Sequence, residues 1–349
     1  MYQSVSGSGV LIVGDLHFSD VYTGKHKNYL KNCFDALAKI RNRVLETKPA
    51  AVVFLGDVVG VNEGNVRSRE VLNQLCSFFR EIGEVSKVFC VRGNHDFNGS
   101  FPEFQFLSGL KLFETSASSD GYFDFFGTGK SRDNGDAPEV RFHLMDYGSE
   151  NMKFDLAPEP AVNIVLGHNN FTIQGLTNWY QAHGGIELGT MENMQGIYMM
   201  ISGHIHNPSP QIISTNMLVG GSCLLFYPGC PTRPSLEKNM YESAWFVEFK
   251  YDEDTGNTNY DAIEFPLSPI SETFYSNEDF VEEKSEEELA EMERTAALKD
   301  VLDDILKCRI SQGDLVGQVK MIPNASEEAK AMAAQYLQIA IDSRAPAKK

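Results

Sequence analysis

Long apolar runs are missing from this 349-residue sequence. No stretch of about 18 apolar residues occurs, which argues against a membrane-spanning helix. The only early apolar run, residues 10–13, follows no basic segment, so no signal peptide is expected. Cysteine is sparse: six residues, none in a C-x-x-C pair. That spacing excludes a thiolate zinc knuckle and a dense disulfide framework, and fits reduced thiols in a cytoplasmic protein. Basic side chains are also short, with 30 Lys and Arg against 48 Asp and Glu, a formal net charge of −18. Affinity for nucleic acid through a broad basic surface is therefore not expected. A phosphodiester substrate remains compatible, because bound cations supply local positive charge that residue counting misses.

What is present is an apolar fraction of 42%, enough for one large core with appendages. The first hundred residues alternate apolar runs with helical patterns. Strands are expected at 10–13, 51–55 and 85–91, and helices at 28–47 and 66–81. In the first helix Leu30, Phe34, Leu37 and Ile40 share a face. Continuous apolar strands separated by helices indicate a buried α/β sheet. Residues 114–140 read as loop around a short strand at 122–126. Beyond 140 strands dominate: 162–166, 197–201, a hairpin over 212–227, and a pair at 243–250 and 258–265. Residues 272–293 carry ten acidic side chains and read as a solvated linker. Two amphipathic helical stripes follow. One is Leu298, Val301, Leu302, Ile305 and Leu306; the other is Ala329, Met332, Ala333, Tyr336, Leu337 and Ile341. Such stripes say only that one face is covered, whether by this chain's own core, a second copy or a partner.

Five short motifs carry the chemistry. They are Gly14-Asp15-Leu16-His17, Gly56-Asp57, Gly93-Asn94-His95-Asp96, Gly167-His168 and Gly203-His204-Ile205-His206. Each falls at the C-terminal end of an expected strand, the edge at which open α/β sheets bind ligands. A glycine ahead of each polar residue permits a sharp turn and close backbone approach. The donors are carboxylate, amide and imidazole, a set that suits manganese, iron or catalytic zinc rather than structural zinc. Seven candidate ligands, Asp15, His17, Asp57, Asn94, His168, His204 and His206, are too many for one first-row ion. Two ions about 3.5–4 Å apart would use them, and Asp57, the only ligand of its motif, is the natural bridge. Gly-Asp alone is uninformative, and a lone buried histidine is usually a satisfied core residue. However, five of the eight histidines fall in these motifs. His95 has a different expected role. Beside a metal pair and not bound to it, it can protonate a leaving alkoxide or stabilise phosphoryl oxygens. Asp96 either holds His95 by a hydrogen bond or caps the turn.

In this order, the five motifs resemble the calcineurin-like metallophosphoesterase superfamily, over about residues 8–210. The resemblance implies an α/β two-sheet sandwich flanked by helices, with the site at the strand ends. It also implies that Asp15, His17, Asp57 and His206 hold one metal. Asp57, Asn94, His168 and His204 would hold the other, with His95 catalytic. Phosphoprotein phosphatases typically carry Asp-Arg-Gly at the second motif and Gly-Asn-His-Glu at the third. Here Val58-Val59-Gly60 follows Asp57, and the third motif ends in Asp96. The segment Tyr227-Pro228-Gly229-Cys230-Pro231-Thr232-Arg233 is similar to the Tyr-x-Gly-Ser-x-x-Arg segment of SbcD-type nuclease subunits, with Cys230 in place of the serine. The rest of the chain matches that family loosely, as a phage-encoded or divergent member would.

That likeness implies four regions: a nuclease domain over 1–210, a small α+β capping domain over 211–270, an acidic linker over 271–297 and a helical partner-binding region over 298–343. It implies a DNA exo/endonuclease with two divalent ions, manganese foremost. The expected partner is an SbcC-type coiled-coil ATPase bound through the C-terminal helices, within a homodimeric complex engaged in recombination and double-strand-break repair. The alternatives are a small-molecule or cyclic-nucleotide phosphodiesterase, and a binding module with a degenerate site. The last is disfavoured because every ligand position is filled.

Overall fold

The computed structural model describes residues 3–19, 29–60, 69–97, 102–149, 151–172, 186–187, 194–208, 213–216, 222–233 and 243–267. The expected acidic linker and helical region, 271–343, lie outside the described residues. So do His26, His183, Cys308 and residues 234–235. All described residues fall in the first of two units into which the chain divides, Met1–Tyr275.

The chain begins β1 (Gln3–Ser6), β2 (Gly9–Val13), α1 (Tyr29–Thr47), β3 (Ala51–Phe54), α2 (Arg69–Gly83) and β4 (Lys87–Cys90). After two short helices, α3 (Asn94–Phe97) and α4 (Pro102–Gly109), come β5 (Glu114–Thr115), β6 (Tyr122–Phe126), β7 (Val140–Met145) and β8 (Val162–His168). The two-residue strands β9 (Phe171–Thr172) and β10 (Ile186–Glu187) pair with each other. β11 (Met199–Gly203), β12 (Ile213–Asn216), β13 (Ser222–Phe226), β14 (Ser243–Asp252) and β15 (Asn257–Pro266) complete the described strands.

Two sheets result, one ordered β1-β6-β7-β8-β11-β13-β12 and the other β15-β14-β2-β3-β4-β5. Strand alternation explains how they stack, since successive side chains point to opposite faces. Val10 and Ile12 of β2, with Ala51, Val53 and Phe89, turn toward Phe123, Phe142, Ile164 and Ile201 of the other sheet. Phe89 stacks on Phe123 at 4.1 Å between the layers. The alternate residues Leu11, Val13, Val52 and Phe54 face α1 and α2. The buried stripe of α1 is Tyr29, Asn32, Cys33, Ala36, Leu37, Ile40 and Val44, so Leu30 and Phe34 of the expected face are only partly covered. The helix stops where Lys48 takes a left-handed φ of 44° ahead of Pro49, a common helix ending. Both layers and the α/β class agree with the sequence.

The capping-domain expectation is different. The described strands of 211–270 hydrogen-bond into the two main sheets. β13 lies parallel to β11, and β14 runs antiparallel to β2 with Val247 opposite Ile12 and Lys250 opposite Gly9. The open edge of β2 needs a hydrogen-bonding partner, and β14 supplies it. Gly9 permits the pairing, since a Cβ there would lie 2.3 Å from Phe249 O. On the outer side of β14, Glu248 accepts two hydrogen bonds from Arg43 of α1, at 2.5 and 2.8 Å. No helix among the described residues is long and apolar enough to cross a membrane. Cys33, Cys76, Cys90, Cys223 and Cys230 are buried thiols, in no disulfide among the described residues.

Candidate metal centre

Each of the five motifs follows or ends a strand: β2, β3, β4, β8 and β11. The loops after β2 and β3 are zipped together, with His17 N–H on Asp57 O at 2.7 Å and Phe18 N–H on Val58 O at 3.0 Å. Three ligand-type residues, His17, Asp57 and His204, hold left-handed φ values of 47°, 45° and 77°. For side chains with a Cβ each costs about 1–3 kcal/mol, strain of the kind that collects at functional sites. The motif glycines serve chiefly close approach. A Cβ on Gly93 would lie 2.1 Å from Asp57 Oδ1, and one on Gly203 would lie 2.2 Å from Asp15 Oδ1.

The structure brings all seven proposed ligands to one place. His17 Nδ1 donates to Gly60 O at 2.8 Å, which leaves its Nε2 as a lone pair. That Nε2 sits 2.8 Å from His206 Nε2 and 3.6 Å from Asp57 Oδ2. His206 Nε2 is in turn 3.8 Å from Asp15 Oδ2. His168 repeats the device: Nδ1 donates to Leu55 O at 2.6 Å, and Nε2 faces Asn94 Oδ1 at 3.0 Å and Asp57 Oδ2 at 3.2 Å. Asn94 Oδ1 also lies 2.9 Å from His204 Nδ1. Fixing one ring nitrogen on a backbone carbonyl and aiming the other inward is how metal-binding imidazoles are oriented. Asp15 Oδ1 is buried with no hydrogen-bond donor among the described residues. Asp15, His17 and His206 form one group of convergent ligand atoms, and Asp15, Asp57 and His168 another. Asp57 faces both sides.

Electrostatics agree with a centre built for cations. Burial pushes the Asp15 carboxyl up to about 7, helped by Asp57 and opposed by His168. Burial also raises Asp57, but the imidazoles of His168, His17 and His95 outweigh it and hold that carboxyl well below its usual range. Burial lowers His17 and His204 to about 4, and desolvation holds His206 well below its ordinary value, so all three imidazoles favour the neutral form that a cation would need. His168 is the exception. Burial lowers it, yet Asp57 and Asp15 carry it up to about 10. Its proton stands where a cation would satisfy the same two carboxylates.

The two remaining residues separate. His95 has a side chain 22% exposed at the site, its Nε2 4.0 Å from Asp57 Oδ2 and its N–H on Asp57 Oδ1 at 2.9 Å. Asp96 does not hold His95. Its buried carboxylate accepts N–H groups of Gly93, Val58 and Val59 at 3.0 to 3.4 Å, tying the third motif to the second. Asp96 is therefore a turn-locking residue rather than a catalytic one. The reason is local, because its side chain folds back onto the strand-end amides that need acceptors. Tyr147, which sequence reasoning missed, places its ring 6.0 Å from that of His204 and is 37% exposed.

Residues 9–208 match the family model of the calcineurin-like phosphoesterases. The chain belongs to that family. No curated protein matches the chain. Among solved structures, the chain is similar to a Staphylococcus aureus protein assigned as a 5′-nucleotidase, at 14% identity and TM-score 0.40, covering 78% of this chain and 56% of that one. It therefore spans little more than half the length of that relative. A dimetal phosphatase from Danio rerio is 15% identical at TM-score 0.43, covering 75% of this chain and 99% of that one. Nuclease MPE from Pseudomonas putida is 15% identical at TM-score 0.29, covering 69% and 84%.

Proposed function

We propose that this phosphoesterase hydrolyses phosphodiesters with two divalent metal ions, manganese foremost, and that its substrate is DNA. The observation that carries the reaction class is the convergence of ligand atoms: His17 and His206 Nε2 lie 2.8 Å apart, and His168 Nε2 lies 3.0 Å from Asn94 Oδ1 and 3.2 Å from Asp57 Oδ2. Asp15, His17, Asp57 and His206 would hold one ion, and Asp57, Asn94, His168 and His204 the other. When bound, such ions lower the pKa of a water and neutralise charge on phosphoryl oxygens. The chain's own part is positional. Asp57 is held by the N–H of His95, and His95 stands at the open side of the site, where it can give a proton to the departing alkoxide oxygen as the P–O bond breaks.

The choice of DNA rests on the likeness of 227–235 to SbcD-type nuclease subunits. Under that reading an SbcC-type ATPase binds the C-terminal region and supplies most DNA contacts, in a cytoplasmic homodimeric complex serving double-strand-break repair. This division would reconcile the net charge of −18 with a polyanionic substrate. The same charge favours the second reading, a small-molecule or cyclic-nucleotide phosphodiesterase. The test is manganese-dependent degradation of linear duplex and single-stranded DNA, compared with bis-p-nitrophenyl phosphate, with and without a coiled-coil ATPase. Cleavage of DNA supports the first reading. Cleavage of small diesters alone, with the partner present, overturns it.

A further inference from the structure

Three consecutive carbonyls of the first motif each receive a side-chain donor from elsewhere in the chain. Cys230 Sγ donates to Asp15 O at 3.0 Å, Thr232 Oγ1 to Leu16 O at 3.0 Å, and Tyr29 OH to His17 O at 2.5 Å. All three donors are buried. The carbonyls lie beyond Val13, where β2 ends, so they have no strand ladder to accept from. Each donor carries one hydrogen, and each hydrogen goes to one carbonyl.

The donors also touch each other. Thr232 Oγ1 lies 3.2 Å from Cys230 Sγ and 3.4 Å from Tyr29 OH. The same segment reaches the last motif, since Cys230 N–H donates to His206 O at 3.2 Å. It packs on the first motif's backbone so closely that a Cβ on Gly14 would lie 1.8 Å from Gly229 O. The segment likened to a nuclease signature is thus a buried clamp on two metal-binding motifs. It grips Asp15, His17 and His206, which share one proposed metal position.

We propose that Tyr29, Cys230 and Thr232 are positioning residues that set metal affinity chiefly at the Asp15–His17–His206 position. This rests on the two-metal reading above. Outer-shell partners of metal ligands are typically worth 10–100-fold in affinity.

The test uses the full chain, with manganese titrated by calorimetry and bound metal counted by elemental analysis. Wild type, Cys230→Ser and Thr232→Ser are expected to bind two ions alike. Cys230→Ala, Thr232→Val and Tyr29→Phe are expected to weaken one ion by roughly 10–100-fold and the other by much less. The electron paramagnetic resonance signal of a coupled manganese pair should give way to that of single ions in these three. Melting of the metal-free proteins reports folding separately, and if Tyr29→Phe does not fold, Thr232→Val and Cys230→Ala decide. Unchanged affinity at both positions, or equal loss at both, overturns the proposal. Fewer than two ions in wild type overturns the two-metal reading itself.

Discussion

Replacing Gly203 by alanine probes how tightly the motif glycines pack on the ligands. The added Cβ would stand 2.2 Å from Asp15 Oδ1, 2.6 Å from Leu55 O and 2.8 Å from His168 Nδ1. Ordinary contact begins near 3.4 Å, so the carboxylate must retreat by about 1.2 Å. Leu55 O and His168 Nδ1 are hydrogen-bonded to each other at 2.6 Å and cannot both move aside while keeping that bond. Overpacking of this kind costs about 1–3 kcal/mol. For a domain of this size that is a fall in Tm of about 2–12 °C. A displacement near 1 Å at the reacting centre costs roughly 100-fold in rate. Gly83→Ala is the control, since nothing lies within 4 Å of its Cβ and neither Tm nor rate should fall. Calorimetric melting, metal titration and hydrolysis of bis-p-nitrophenyl phosphate measure the three effects. If Gly203→Ala keeps wild-type Tm, metal content and rate, the close packing of backbone on ligands described above is wrong.

Three further outcomes are expected. His95→Asn should retain both ions and slow hydrolysis by roughly 10²–10⁴-fold; loss of metal would show that His95 is a ligand. His143, buried beside Asn163, is lowered from 6.5 to about 4 by burial, so below pH 6.5 the unfolded chain takes up a proton that the folded chain refuses. Its contribution is present above pH 6.5 and lost as pH falls through 4, about 3 kcal/mol in all. His143→Gln should flatten that part of the Tm–pH curve, and parallel curves would refute the assignment. Phe89→Ala, which removes one ring of the stack between the sheets, should cost about 3–5 kcal/mol in urea unfolding. A cost below 1 kcal/mol would mean that the two layers do not pack there.

The metal motifs were legible because each pairs a buried apolar strand with glycine and a polar residue, a local pattern that needs no knowledge of partners. The same logic placed the strands of the two layers within a few residues. What was not legible depends on distant pairing. The alternation in 243–265 shows strands but not which edge they join, and β14 joins β2 from more than 230 positions away. Hence the edge that the described strands of 211–270 join could not be read from their own residues. Asp96 misled for a related reason: Asn-His-Asp spacing suggests a carboxylate behind a histidine, while the backbone amides of Val58, Val59 and Gly93 compete for it and win. The clamp of Tyr29, Cys230 and Thr232 left one trace in the sequence, a run of small and hydroxyl-bearing residues at 227–233 that is neither strand nor polar turn. Its purpose appears only when the carbonyls of Asp15, Leu16 and His17 are seen to need donors.

The most direct test of the central claim is a crystal structure of the manganese-loaded protein with anomalous scattering at the manganese edge. Two peaks about 3.5–4 Å apart are expected, with an Asp57 oxygen reaching both, His17 and His206 on one and His168, His204 and Asn94 on the other. A single peak, or peaks away from Asp57, would contradict the account.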